Sequence, residues 1–384
     1  MSRISLTGRL SVALALATGF PITTALAQAA ATDSTPRVTF AAFVDGYFAW
    51  DAGKPVSLDR SFAGGALFTT QPARHNEFNV NLAFVEARLD APHYRGRFAL
   101  QTGTSVQSNY FGEPTTGKIS GPGLGQLIQE AVVGVKVADN VWVDGGIFYS
   151  HMGMESWASR DNATYTRSLV ADYSPYYQSG VKMTWTPSGK LTAQIDLVNG
   201  WQNISENNTG KAAGVRLDYA ATATSTVSYY NLFSNEAGSR LRIFNGIGAK
   251  HTAGKVTFVG QLDVGSQSRP VGTDGSSSWF GWTAIARIQA SPTVALVGRL
   301  EGFTDRDQVI IGTGSRSVGN TTVGNPAFRS TGASIGLDVS PYPRVLWRSE
   351  VRGWQNADAL FPDGVNTTPS KQSAFAVTSL ALSF

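Results

Sequence analysis

The stretch Lys190–Asn203, KLTAQIDLVNGWQN, decides the fold. Leu191, Ala193, Ile195 and Leu197 fall on one face of an extended chain, and Thr192, Gln194 and Asp196 on the other. Successive side chains of a strand point to opposite faces, so this period of two marks a β-strand with one apolar and one wet side. An amphipathic helix would need a period of 3.6. Lys255–Gly265 repeats the pattern, with Val256, Phe258, Leu262 and Val264 opposite Thr257, Gln261 and Asp263. So does Ser330–Ser340, with Ala333, Ile335, Leu337 and Val339 opposite Ser334, Gly336 and Asp338.

Working outward, sixteen such segments centre on Val44, Val85, Leu100, Val133, Ile147, Val181, Ile195, Val215, Tyr229, Ile247, Val259, Ala286, Val297, Ile335, Arg348 and Val377. The connections after odd-numbered segments read as long and polar: Asp51–His75, Tyr110–Gly125, Met152–Asp172, Ile204–Gly210, Asn235–Ser239, Ser266–Ser278, Arg306–Ala327 and Ala357–Ser370. Those after even-numbered segments are tight, as at Asp139-Asn140, Ala253-Gly254 and Ser291-Pro292. Transmembrane β-barrels show this asymmetry, with short periplasmic turns, longer extracellular loops and an even strand number. The expectation is an all-β, antiparallel up-and-down barrel of about sixteen strands. Fourteen or eighteen stay open because two passages are ambiguous. In Asn76–Ala91 the apolar phase switches, which a bulge near Leu82 reconciles; in 225–235, Tyr229 and Tyr230 cannot share a face.

Composition agrees with a wall between lipid and water. Of 384 residues, 42% are hydrophobic and 15% charged, against roughly 25% charged in an average soluble domain. A soluble β-sandwich also alternates, but it does not require two classes of connection in order, nor a polar face rich in Gly, Ser, Thr and Gln. Aromatics near strand ends (Phe48, Trp50, Tyr110, Phe111, Trp142, Trp185, Trp201, Tyr219, Trp279, Trp282 and Trp354) suggest two membrane-interface girdles. The absence of cysteine excludes disulfide frameworks, thiol nucleophiles and Cys-based zinc sites. Met1–Ala27 reads as a secretory signal: Arg3 and Arg9, a short apolar core over Leu10–Phe20, and Ala25-Leu26-Ala27 before the cut. Residues 28–36 then form a short periplasmic segment, and 37–384 the single barrel domain. The signal contains two Arg and no acid, so its loss lowers the net charge from +4 to +2 and leaves no basic footprint for nucleic acid. Beyond it, no apolar run is long enough for a membrane helix.

The chain ends AVTSLALSF, with Leu380, Leu382 and Phe384 on one face. A last strand closing on Phe384 resembles the assembly signal read by the outer-membrane insertion machinery. Further stretches resemble the β-barrel porin family described as OmpL-like: Phe43–Phe48, Asn76–Glu86, Gly146-Ile147-Phe148, Gly153-Met154-Glu155, Tyr165–Ser168 and above all Leu197–Asn203 with Asn207, Asn208 and Lys211. They cover about the first half of the mature chain; the second half shares only strand rhythm and the terminal Phe. The resemblance implies an outer-membrane barrel and porin function, with outer-membrane lipid and the insertion machinery as partners. It carries no catalytic residue to transfer.

A sixteen-stranded barrel is wide enough for an aqueous channel, so passive diffusion of small hydrophilic solutes or ions is the favoured function, with no cofactor. Strand phase turns mixed charges inward, among them Arg97, Glu130, Asp144, Lys182, Asp196, Arg216, Asp218, Asp263, Arg287, Asp338 and a cluster of Arg299, Glu301, Arg348, Glu350 and Arg352. In open water such charges are mostly solvated and screened. As a ring they would tune ion selectivity, and replacing Arg348 and Arg352 by Ser would then shift the reversal potential toward cations. The loop Met152–Asp172, with a helical turn at Met154–Ser159, either stays on the surface or folds inward to bring Glu155 and Asp161 to that basic wall. Gly121–Gly125 lacks the Lys and helix of a phosphate loop and reads as a flexible loop. The four His show no metal spacing. Two alternatives remain: a structural or adhesive barrel with a plugged lumen, and a rim hydrolase, for which only His75 and His151 lie on the long-loop side. Sixteen-stranded porins resemble trimers, so a homotrimer is one assembly, although no segment marks its interface.

Overall fold

The computed structural model describes residues 35–384 apart from 237–239, 271 and 365–367; the signal at 1–27 lies outside the described residues. In chain order the strands are β1 (Arg37–Asp51), β2 (Phe78–Asp90), β3 (Tyr94–Thr102), β4 (Ile128–Ala138), β5 (Val141–Tyr149), β6 (Tyr177–Ser188), β7 (Leu191–Val198), β8 (Ala212–Thr222) and β9 (Ser225–Glu236). They continue with β10 (Arg240–Ala253), β11 (Val256–Ser268), β12 (Ser276–Ser291), β13 (Val294–Asp305), β14 (Ser315–Val318), β15 (Thr321–Gly324), β16 (Phe328–Val339), β17 (Val345–Asn356) and β18 (Gln372–Ser383). All but β14 and β15 form one closed antiparallel barrel, so the barrel has sixteen strands. Each of the sixteen segment centres lies within one of them. β14 and β15 pair only with each other, as a hairpin inside the long connection after β13 that the sequence shows only as polar.

Closure is made by β18 on β1, from Phe43 opposite Ser383 to Asp51 opposite Phe375. The N–H of Phe384 donates to Ala42 O at 2.9 Å, completing the ladder at the last residue. A closed sheet has no free edge, and in lipid every backbone polar group needs such a partner. The alternation resolves as expected: Val133, Ile335 and Leu300 are exposed outward while Asp144, Asp263 and Glu301 are buried inward. Both ambiguous passages resolve too. The β1–β2 register shifts between Asp45 and Gly46, opposite Leu82 and Val80, which leaves Asn81 as a bulge. Asn81 Nδ2 donates to Asp45 Oδ2 at 3.0 Å, and Ser105 Oγ donates to Asn81 O at 2.8 Å. Gly103 comes so close here, with φ +132°, that a Cβ would lie 2.4 Å from Asn81 O. In β9, Tyr230 is buried inside while Tyr229 lies on the exposed outer face.

Four expectations need correction. The connection after β9 spans only 237–239, because β9 runs two residues past its predicted end, to Glu236. The helical turn falls at Ser159–Asp161 instead of Met154–Ser159, and Pro122–Gly125 forms one kinked helical turn where a featureless loop was expected. The aromatic girdle is also thinner than the strand-end count implied. Trp50, Trp185 and Tyr219 do face outward, exposed, and Trp347 joins them. Trp279, Trp354 and Tyr110 point into the barrel and are buried. There Phe68 packs edge-on against Trp354 (ring centroids 4.8 Å apart), and Trp201 packs against Phe244 at 5.2 Å. Strand-end position alone does not distinguish a ring at the lipid interface from one that packs under an infolded loop.

Candidate functional site

The connection between β5 and β6 turns into the lumen. Its two ends are braced to each other: Glu155 accepts hydrogen bonds from the N–H of Ser168 (3.1 Å) and from Ser168 Oγ. Ser168 also caps the one-turn helix α1 (Leu169–Asp172). Burial raises the Glu155 carboxyl above its ordinary range, with the nearby Arg299 charge and the Ser168 bonds pulling the other way.

The tip of this loop meets the wall formed by β13, β16 and β17. Arg299 (β13) donates to Thr166 O at 2.7 Å and to Glu350 Oε1 at 2.7 Å. Glu350 (β17) in turn accepts the N–H of Thr166 at 2.8 Å. Arg352 grips Glu301 with two parallel bonds of 2.8 Å and donates to Arg167 O at 2.8 Å. Glu301 also accepts the N–H of Leu169 at 2.8 Å, the first N–H of α1. Arg348 is held by Asp338 through bonds of 2.8 and 3.0 Å and donates to Ala163 O at 2.8 Å. Arg287 joins it on Asp338 and reaches Ala163 O at 3.2 Å. A loop that leaves the surface carries carbonyls and amides that must find partners. The planar, multi-donor guanidinium can hold a carboxylate with one edge and a loop carbonyl with another.

The five clustered residues therefore face the interior, as strand phase requires, but they sit under the loop and not against water. The side chains of Arg299, Arg348 and Arg352 are at most 1% exposed. Asp263 is also covered: it accepts from Tyr230 Oη at 2.8 Å and from Gln261 Nε2 at 2.9 Å, and Gln261 Oε1 receives the N–H of Met154 at 2.9 Å. Asp161 does not reach the arginine cluster. It lines a cavity of about 280 Å³ with Glu155, Lys250 and Arg287. On the far side Ser159 Oγ donates to Asp45 Oδ2 at 2.9 Å, and Arg160 Nη1 to Ser383 Oγ at 2.9 Å. The loop thus spans from its own strands to β10–β12, β13–β17 and β1.

Neither histidine offers a catalytic pair. His151 lies 3.5 Å from Asp196, but both side chains are sealed from solvent; its Nδ1 bonds Gln178 and its Nε2 bonds Asn231 O. His75 Nδ1 accepts the N–H of Asp51 at 2.8 Å. The sequence reading passed over Arg88, Arg95, Glu86 and Lys250. Each has the inward phase of its strand, yet the bulge in β1–β2 and uncertain strand ends hid it. It also missed the loop residues Thr166 and Ala163, whose backbone atoms, unlike side chains, leave no trace in residue type.

A closed sixteen-stranded antiparallel barrel, apolar outside and charged inside, with one loop folded into its lumen, defines an outer-membrane porin. The chain belongs to the family described as "Putative beta-barrel porin-2, OmpL-like", which it matches over residues 37–384. The fold is shared with solved outer-membrane proteins at low identity. An anion-selective porin from Comamonas acidovorans is 12% identical, with 91% of this chain and 100% of that one covered and a TM-score of 0.57. The outer-membrane channel DcaP of Acinetobacter baumannii is 10% identical, with 91% and 97% covered and a TM-score of 0.57. OmpT of Vibrio cholerae in its trimer form is 7% identical, with 91% and 100% covered and a TM-score of 0.57. No curated protein matches the chain.

Proposed function

We propose that this porin passes small hydrophilic solutes by passive diffusion, with the loop between β5 and β6 setting the width of the passage. The observation that carries this reading is the clamp: three buried arginines of β13 and β17 hold the backbone of residues 159–167 inside the barrel. A loop fixed at this number of points narrows the lumen permanently, without hinge or fuel. Deleting Trp157–Ala163 removes part of that obstruction and should raise single-channel conductance in a planar bilayer. Unchanged conductance would place the loop outside the ion path. Conductance also separates this reading from a plugged structural barrel, which opens no ohmic channels.

Export rests on the signal at Met1–Ala27, cleaved before Gln28, with 28–36 on the periplasmic side. Phe384 is the residue we assign to recognition by the insertion machinery. A homotrimer is supported by the shared fold with OmpT in its trimer form.

A further inference from the structure

We propose that the water-facing part of the lumen is an anion-selecting wall, because the ion pairs of Arg88, Arg95, Arg97 and Arg287 turn their cations to the water and bury their carboxylates. This inference deepens the porin reading and rests on it. In register, Arg88 of β2 lies opposite Arg97 of β3. Both pair with Glu86, whose side chain is 5% exposed against 50% for Arg88. Arg97 also pairs with Glu130. Arg95 Nε donates to Asp144 at 2.7 Å, with exposures of 34% and 1%. On the other flank Arg287 shows the same asymmetry over buried Asp338.

The cause is side-chain length. A carboxylate on a short stem stays near the wall, while a guanidinium reaches past it and keeps its head in water. Aromatic rings support the stems: Arg95 lies over Trp142 at 4.5 Å, Arg97 over Tyr149 at 5.3 Å, and Lys182 over Phe148 at 4.6 Å. The attraction of a cation for a ring face holds these groups in place without neutralising them. Arg88, Arg95, Arg97 and Lys182 meet around a cavity of about 300 Å³ near the short-turn end. Lys136, Arg216 and Lys250 extend the positive layer round the lumen, and Lys250 makes no ion pair among the described residues. The carboxylates that reach water on this face are Asp90, Asp161 and Asp218, with Asp139 fully exposed beside Lys136 at the short-turn end. Eight cationic heads therefore face four acids, although the mature chain is nearly neutral. Walls of low dielectric focus such a field on the water between them.

The test is the reversal potential of the purified folded protein in a planar bilayer under a KCl gradient. In dilute salt, about 0.1 M, where the screening length is ~10 Å, chloride should be favoured over potassium several-fold; near 1 M, where it is ~3 Å, the preference should collapse. R88Q/K250Q should at least halve the preference in dilute salt. Glu86 keeps Arg97 in that variant and Lys250 had no acid to strand, so folding is checked by heat-modifiable gel mobility. If the double variant fails that check, K250Q alone is measured and should also lower the preference. Cation preference in the unaltered protein, or an unchanged ratio in the folded variant, overturns the inference. A protein that opens no channels at all overturns instead the porin reading beneath it.

Discussion

Two sectors of one barrel wall carry the same residue type for opposite ends. In β13–β17, Arg299, Arg348 and Arg352 are dry, hydrogen-bonded to carboxylates, and donate further N–H groups to loop carbonyls. In β2–β6 the arginines 88, 95 and 97 rest on buried carboxylates and turn their heads to water. Both sets sit on inward strand positions. The difference is the loop between β5 and β6, which covers one sector and leaves the other bare. A lumen arginine is thus a structural anchor or a selectivity element according to what lies on top of it.

The sharpest break of this comparison is in stability. Arg352→Ala strands Glu301 in a dry site beside Arg299, and removing one partner of a buried pair costs about 3–5 kcal/mol. The denaturation midpoint, followed by heat-modifiable mobility, should fall clearly. Arg348→Ser and Arg352→Ser should loosen the loop and raise conductance more than they move the reversal potential, because neither side chain touches the water; a pure selectivity shift would return them to the pore wall.

Next in size is a pH effect at Glu155. Burial raises its carboxyl, so the folded loop retains a proton that the unfolded chain gives up. Folding is then favoured in acid, and that increment is lost as pH rises from the ordinary glutamate range through the raised value. Unfolding midpoints across that window should decline in the unaltered protein relative to E155Q. Parallel curves would remove Glu155 from the brace.

His75 tests the outer loops with the opposite sign. Burial lowers its imidazole, and its bare Nδ1 accepts the Asp51 N–H, so its contribution is full above the ordinary histidine value. It is lost as pH falls through the lowered one. H75Q should remove that acid-side decline. Smallest is Arg88→Gln: its pair with Glu86 is half exposed and screened, so stability should change by less than about 1 kcal/mol, even as ion selectivity moves. A large stability loss there would erase the distinction between the sectors.

Much of the fold was readable because strand periodicity is local. KLTAQIDLVNGWQN, with its analogues, located the barrel strands, the inward charges and, through the phase break near Leu82, even the Asn81 bulge. Two of the errors share one cause. Trp279 and Trp354 were assigned to a girdle, and the arginine cluster to a wet wall, because a strand pattern specifies which side a residue faces and not what fills that side.

From its residues alone the chain determined its class: alternating strands with ordered turns and loops leave a closed sheet as the structure that satisfies its backbone in lipid. Only the tertiary structure decided the inside. Whether Met152–Asp172 lies on the surface or in the lumen depends on carbonyls of Thr166, Ala163 and Arg167 meeting guanidiniums more than 120 residues away. Every residue carries the same carbonyl, so no residue type announces that meeting.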